Sequence, residues 1–254
     1  MLRTLLNITL VGALIYLGLC AALFFLQRSL IYFPQPRSAA NGAPTINLPV
    51  DGATVVITTR PREGSNAVIY LGGNAEDVSF SLPGLAEAFG EHALFLMHYR
   101  GYGGSTGKPT EAALLADALA LFDQVSRQHK NVVVVGRSLG SGVAVYLASM
   151  RPVNRLVLVT PYNSIQALAA QQFALFPVRW LLQDKFESWR YAPLVAAPTL
   201  LVAAERDEVI PRASTESLLT SFQPGVATMR VVSGTGHNTI SESPAYVALL
   251  RGAP

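Results

Sequence analysis

A mostly parallel β-sheet with helices on both faces is the architecture this sequence predicts, with a short helical cap inserted late and one transmembrane helix in front. Three observations carry the prediction. Short β-branched or apolar runs alternate with helix-compatible segments from residue 55 onward, the pattern of βαβ units. One run, Val132-Val133-Val134-Val135, is continuous valine, as a strand buried on both faces reads. Residues 5–26 carry no charge and are nearly all apolar, long enough to cross a bilayer as a helix.

The N-terminal run has a rival reading as a cleaved secretory signal. Signal cores are shorter and end at a small-x-small site, whereas this run continues through Ala21-Ala22-Leu23-Phe24-Phe25-Leu26. Leu17-Gly18-Leu19-Cys20 faintly resembles a lipoprotein cleavage site, but the bulky Leu19 precedes the cysteine. The expectation is an uncleaved single-pass anchor over residues 1–30, then a connector over 31–50 and one α/β domain over 51–254. Orientation is close to a tie under the positive-inside rule, with Arg3 and the amino terminus facing Arg28 and Arg37.

Composition sets further bounds. The chain has 254 residues, 50% of them hydrophobic, and a net charge of +3. Its basic residues are scattered, without a basic run or basic-aromatic stripe, which argues against a nucleic-acid partner and leaves weak attraction to an anionic membrane surface. Cys20 is the single cysteine, so there is no intrachain disulfide and no cysteine-rich metal site. No metal or cofactor is expected.

Along the domain, strands are predicted at 55–59, 67–71, 94–99, 132–135, 156–159, 199–203 and 229–232. Helices are predicted at 78–89, 110–128, 140–150, 213–221 and 244–250. The insertion at about 161–197 is the cap, holding Phe173, Phe176, Trp180, Phe186 and Trp189. Those aromatics either line an apolar pocket beside the membrane or glue the cap to the core, and Asp184 and Arg179 read as capping and pairing within cap helices.

After the valine run comes Gly136-Arg137-Ser138-Leu139-Gly140, a G-x-S-x-G match. The motif alone is weak, but a buried strand before it and a helix start after it are the context it requires. Such a turn lifts the Ser138 hydroxyl clear of the sheet and aims the Leu139 amide at the same spot. A serine hydroxyl needs a base to take its proton, and the base needs an acid to orient it. With the serine on such an elbow, the expected chain order is serine, acid, histidine. His237 lies in Ser233-Gly234-Thr235-Gly236-His237-Asn238, just past the last predicted strand, where sites form in parallel sheets. His92, His98 and His129 lack that placement. For the acid, Asp207 competes with Glu205 and Glu208 on one loop and, more distantly, with Asp184. Asp207 is favoured because Val209-Ile210-Pro211 turns the chain back and leaves it at the tip. The second oxyanion amide is assigned to Asn74, in Leu71-Gly72-Gly73-Asn74-Ala75-Glu76-Asp77, with Asp77 capping the helix that follows. Tyr99 to Lys108 is glycine-rich but fails the phosphate-loop spacing, because Pro109 follows Lys108 where Ser or Thr is required. It reads as a rigid loop flanking the site, with Arg100 pairing a buried carboxylate.

These stretches, together with Gln27-Arg28-Ser29-Leu30-Ile31-Tyr32-Phe33-Pro34, Tyr99-Arg100-Gly101-Tyr102-Gly103 and Asp207-Glu208-Val209-Ile210-Pro211, resemble the α/β-hydrolase superfamily. The resemblance is to the small, N-terminally membrane-anchored serine hydrolases that include depalmitoylating α/β-hydrolase-domain proteins and bacterial relatives. It implies an α/β-hydrolase fold in a bacterial inner membrane. It assigns Ser138 as nucleophile, Asp207 as acid, His237 as base, and Asn74 with Leu139 as oxyanion donors. The implied activity is cleavage of carboxylic esters or thioesters on a small-molecule or lipid acyl substrate. A peptidase or amidase using the same residues, and a non-catalytic membrane-anchored binding module, are the alternatives. Gly72 departs from the family pattern, which has a histidine there.

Overall fold

Apolar runs of strand length, each followed by an amphipathic segment, assemble into one sheet in the computed structural model, which describes residues 1–38 and 42–252. The chain starts with α1 (Leu2–Ile31), then the hairpin β1 (Thr45–Val50) and β2 (Ala53–Arg60), β3 (Asn66–Leu71), α2 (Leu82–Ala88) and β4 (Ala93–Met97). It continues through α3 (Glu111–Val125), β5 (Asn131–Arg137), α4 (Leu139–Met150) and β6 (Arg155–Val159). The cap holds α5 (Ile165–Gln172), α6 (Val178–Leu181) and α7 (Ser188–Tyr191), and the chain closes with β7 (Thr199–Ala204), α8 (Arg212–Ser221), β8 (Ala227–Val232) and α9 (Pro244–Arg251). Strand order is β1-β2-β4-β3-β5-β6-β7-β8, with β1 and β2 antiparallel to their neighbours and the rest parallel.

The two faces of the valine strand show why it has no polar position. Val132 and Val134 pack with Leu121 of α3, Val143 and Leu147 of α4 and Leu218 of α8. Val133 and Val135 pack with Leu85 of α2 and Tyr246 and Leu250 of α9. The chain order also reverses around this strand: β3 leads outward to β4, and the chain then returns to β5 on the other side of β3. The carboxyl ends of β3 and β5 therefore flank a switch point, where open parallel sheets place their ligand crevices. Leu71 sits opposite Gly136 in that pairing, so the loop after β3 lies against the turn after β5.

Two expectations need correction. Residues 45–50, predicted as connector, form β1, with Ile46 opposite Ile57 and Leu48 opposite Val55. The predicted boundary at 51 falls inside a hairpin whose turn places Gly52 at φ 67°. Pro49 is tolerated because β1 is an edge strand, where a missing N–H removes no ladder bond on the open side. Residues 39–41 of the predicted connector lie outside the described residues. The second correction concerns Asp184, which meets the end of α1 and the residue after it instead of Arg179: its Oδ2 is 3.1 Å from Arg28 Nε and accepts from the Tyr32 hydroxyl at 3.1 Å. Expectations that match are the Arg100–Asp117 ion pair, two contacts of 2.7 Å to a carboxylate that is 1% exposed, and Asp77 capping the 3-10 turn through Ser79 N–H.

His98, just past β4, is buried with Nε2 2.8 Å from Thr58 Oγ1, while its Nδ1 has no partner among the described residues. Desolvation pulls its pKa from 6.5 to about 4 against the attraction of Asp77, with Arg37 adding to the fall. The folded state thus holds this ring neutral while the unfolded chain takes up a proton below pH 6.5. Stability from this group is complete above pH 6.5 and falls as pH drops towards 4, by on the order of 3 kcal/mol. Thermal melts across that window are expected to slope more steeply for the native chain than for His98→Gln. Equal slopes would show that another group governs the effect.

Candidate active site

Ser138 stands between β5 and α4 at φ 48° and ψ −117°. Its own N–H extends the β5–β6 ladder to Val159 O at 2.9 Å, so the backbone turns away only after the strand is paired. A positive φ on a non-glycine residue is a strained conformation, and the contacts around it must hold it. Gly140 is part of that hold. A Cβ there would overlap the Leu71 carbonyl oxygen and lie 2.6 Å from that of Gly72, so any side chain would push α4 off β3. The start of α4 consequently sits tight against the loop after β3, with its unpaired N–H groups and positive dipole end at the crevice.

Three predicted side chains converge there. His237 Nε2 lies 2.9 Å from Ser138 Oγ, and His237 Nδ1 lies 2.9 and 3.0 Å from the two oxygens of Asp207. Residues from three separate strand ends thus form one hydrogen-bonded line. His237 is buried, and the Asp207 side chain is 8% exposed. Burial works to raise the Asp207 carboxyl, but hydrogen bonds from His237 and from the Ile210 and Val209 N–H groups outweigh it and hold the carboxyl below its usual range. It is ionised at neutral pH, as an acceptor for an imidazole N–H must be.

The competing carboxylates have other partners. Glu205 accepts Gly234 N–H at 2.7 Å, and Glu208 accepts His237 N–H at 3.1 Å. Both fasten the histidine loop by its backbone without facing the imidazole. Asp184 is taken by Arg28 and Tyr32. Of the four candidate acids, only Asp207 meets the ring.

The loop after β3 approaches the serine closely: a Cβ built at Gly73 would be 3.5 Å from Ser138 Cβ. Neither the Leu139 nor the Asn74 N–H has an acceptor among the described residues. The Asn74 side chain is turned elsewhere, donating to Ile31 O at 2.6 Å and accepting from Phe33 N–H at 3.0 Å and the Tyr102 hydroxyl at 2.8 Å. The end of α1 is therefore pinned to this loop.

Gly72, where the family pattern has histidine, has no room for a side chain because a Cβ would overlap Val78. Glu76, to which the sequence assigns no role, anchors the loop instead. It accepts Gly73 N–H at 2.6 Å, the Tyr70 hydroxyl at 2.8 Å and the Ser81 hydroxyl at 2.7 Å, and it pairs with Arg137 at 3.4 Å. Burial pushes the Tyr70 phenol well up, so it remains a donor. The spacing from Gly73 to Glu76 was the available signal: a carboxylate three residues on can reach back to a turn's amide.

A mostly parallel eight-stranded sheet with a sharp serine turn after its fifth strand defines the α/β-hydrolase class. The family model described as the alpha/beta hydrolase fold matches residues 66–184. An uncharacterized protein of Mycobacterium tuberculosis is 34% identical over 247 residues, covering 89% of this chain and 85% of that protein. The chain belongs to the α/β-hydrolase family. The lysophosphatidylserine lipase ABHD12 of Xenopus tropicalis is 32% identical over 168 residues, 57% of this chain and 43% of the lipase, so the chain spans less than half of that relative. Among solved structures, the Pyrococcus furiosus esterase Pf2001 is similar in fold, with a TM-score of 0.69 and 17% identity over 87% of this chain and 98% of the esterase.

Proposed function

We propose that this chain is a membrane-anchored serine hydrolase that cleaves carboxylic ester or thioester bonds through an acyl-enzyme on Ser138. One observation carries the reading: the imidazole that touches Ser138 Oγ at 2.9 Å is gripped from behind by an ionised carboxylate. In the first half-reaction Ser138 Oγ attacks the substrate carbonyl carbon while His237 Nε2 takes its proton. The carbonyl oxygen becomes an oxyanion facing the Leu139 and Asn74 N–H groups. As it collapses, the bond to the leaving group breaks, and His237 hands that group its proton. Water then attacks the acyl-serine by the same route, releasing a carboxylic acid and restoring Ser138. Asp207 fixes the tautomer and steadies the imidazolium.

The anchored branch of the family is supported by α1, 30 residues long with a mean hydropathy of 2.4 over its most apolar window and only 6% of that window buried. An acyl substrate is favoured by the apolar cap beside that helix and by the lipase among the relatives. The test is fluorophosphonate labelling of the full-length protein in membranes, with the adduct mapped by mass spectrometry, followed by matched p-nitrophenyl ester and p-nitroanilide substrates. Labelling at Ser138 with faster ester turnover is expected. Faster anilide turnover would favour a peptidase or amidase, and no labelling would favour a non-catalytic module.

A further inference from the structure

The anchor does more than tether. The C-terminal half of α1 packs along the cap: Tyr16 stacks on Phe176 with centroids 5.8 Å apart and donates to Leu175 O at 3.0 Å. Gln27 donates to Leu181 O at 3.1 Å and accepts Gln183 N–H at 2.6 Å, and Arg28 reaches Asp184. Tyr16 lies about 18 Å along the helix from Arg28, at 1.5 Å per residue. Arg3 and Arg28 bound the uncharged part of α1, so on the membrane-spanning reading of this helix the cap residues beside Tyr16 lie at the depth of the bilayer's apolar layer. Leu175, 84% exposed, lies at that tip, while Trp180, next to the Leu181 that Gln27 meets, and Phe25 on α1 are 83% and 80% exposed.

Between helix and cap lies a cavity of about 580 Å³. One wall is α1, through Leu23, Leu30 and Ile31, and the opposite wall is the cap, through Leu168, Phe173 and Phe176. The triad and oxyanion residues do not line it, but lining residues bond directly to them. Ile31 is held by Asn74 of the oxyanion loop, and Glu208, also lining the cavity, holds the His237 amide. An apolar space of this size falls within the range of ligand pockets, about 300–1,000 Å³. One of its walls, α1, is the helix read as crossing the bilayer.

We infer that this cavity binds the single long acyl chain of a bilayer-resident ester, with the protein's own membrane helix as one wall, so that substrate passes sideways from the lipid into the site. The inference rests on the serine-hydrolase reading and adds that α1 takes part in chain-length selection. An acyl chain in this slot leaves one apolar layer for another, and its carbonyl end faces Ser138.

The experiment uses full-length protein in phosphatidylcholine vesicles. Active sites are counted by fluorophosphonate titration, and kcat/KM per site is measured for p-nitrophenyl palmitate and p-nitrophenyl butyrate. Leu23→Trp and Leu30→Trp fill the slot from the anchor side, and Leu168→Trp fills it from the cap side. Each is expected to lower the palmitate-to-butyrate ratio about tenfold or more. Because the readout is a ratio per titrated site, partial misfolding does not imitate it. Unchanged ratios in both anchor variants, with or without an effect at Leu168, would overturn the anchor's part. A native protein that neither labels nor turns over either ester would instead sink the serine-hydrolase reading.

Discussion

Ser138→Ala is expected to lower kcat on an ester by about a million-fold, with KM changed little, because in the proposed mechanism it removes the atom that forms the acyl bond while leaving the substrate's contacts in place. Alanine takes the backbone geometry no worse than serine does, and the elbow is held by Gly140, by the Val159 ladder bond and by the Ser141 hydroxyl, which donates to Ser138 O at 2.7 Å. The variant should therefore melt close to the native chain. Steady-state kinetics beside fluorophosphonate labelling checks the expectation. Retained labelling with retained turnover would remove Ser138 from the chemistry.

Asp207→Asn is expected to cost about ten-thousand-fold in kcat. Asparagine keeps the shape but presents an amide that can donate to Nδ1, which favours the tautomer with its proton on Nε2, the atom that must receive one from Ser138. Glu208→Gln is the matched comparison. That side chain holds the His237 amide at 3.1 Å and does not touch the ring, so its loss should lower kcat far less. Comparable losses from the two variants would mean that position of the loop, and not the state of the imidazole, limits the rate.

Much of the candidate site could be read from the chain because parallel sheets put their loops at one edge. The valine run fixes β5, a glycine-flanked serine fixes the turn, and the strands after it place Asp207 and His237 at the same edge. Choosing among Glu205, Asp207 and Glu208 rested on turn chemistry, and the separation seen is one of side-chain aim, which sequence spacing does not encode. β1 was hidden because edge strands tolerate proline and need bury only one face: Leu48 is buried, while Thr45 and Pro49 are exposed. Polar residues near the end of α1 read simply as a membrane boundary. Gln27, Arg28 and Tyr32 turn out to bind cap residues more than 150 positions away, and no local pattern records such a contact.

The pairing of Asp184 with Arg28 and Tyr32 bears on how the protein can be handled and processed. That carboxylate is 4% exposed, and its cationic partner lies on α1. A fragment expressed without its first 31 residues would keep the Tyr32 hydroxyl but remove the Arg28 guanidinium from a buried carboxylate, release the Asn74 amide group from Ile31 and uncover the cap face that α1 packs against. Such a fragment is expected to melt below the full-length chain, and equal melting temperatures would show that the contacts of α1 add nothing to stability.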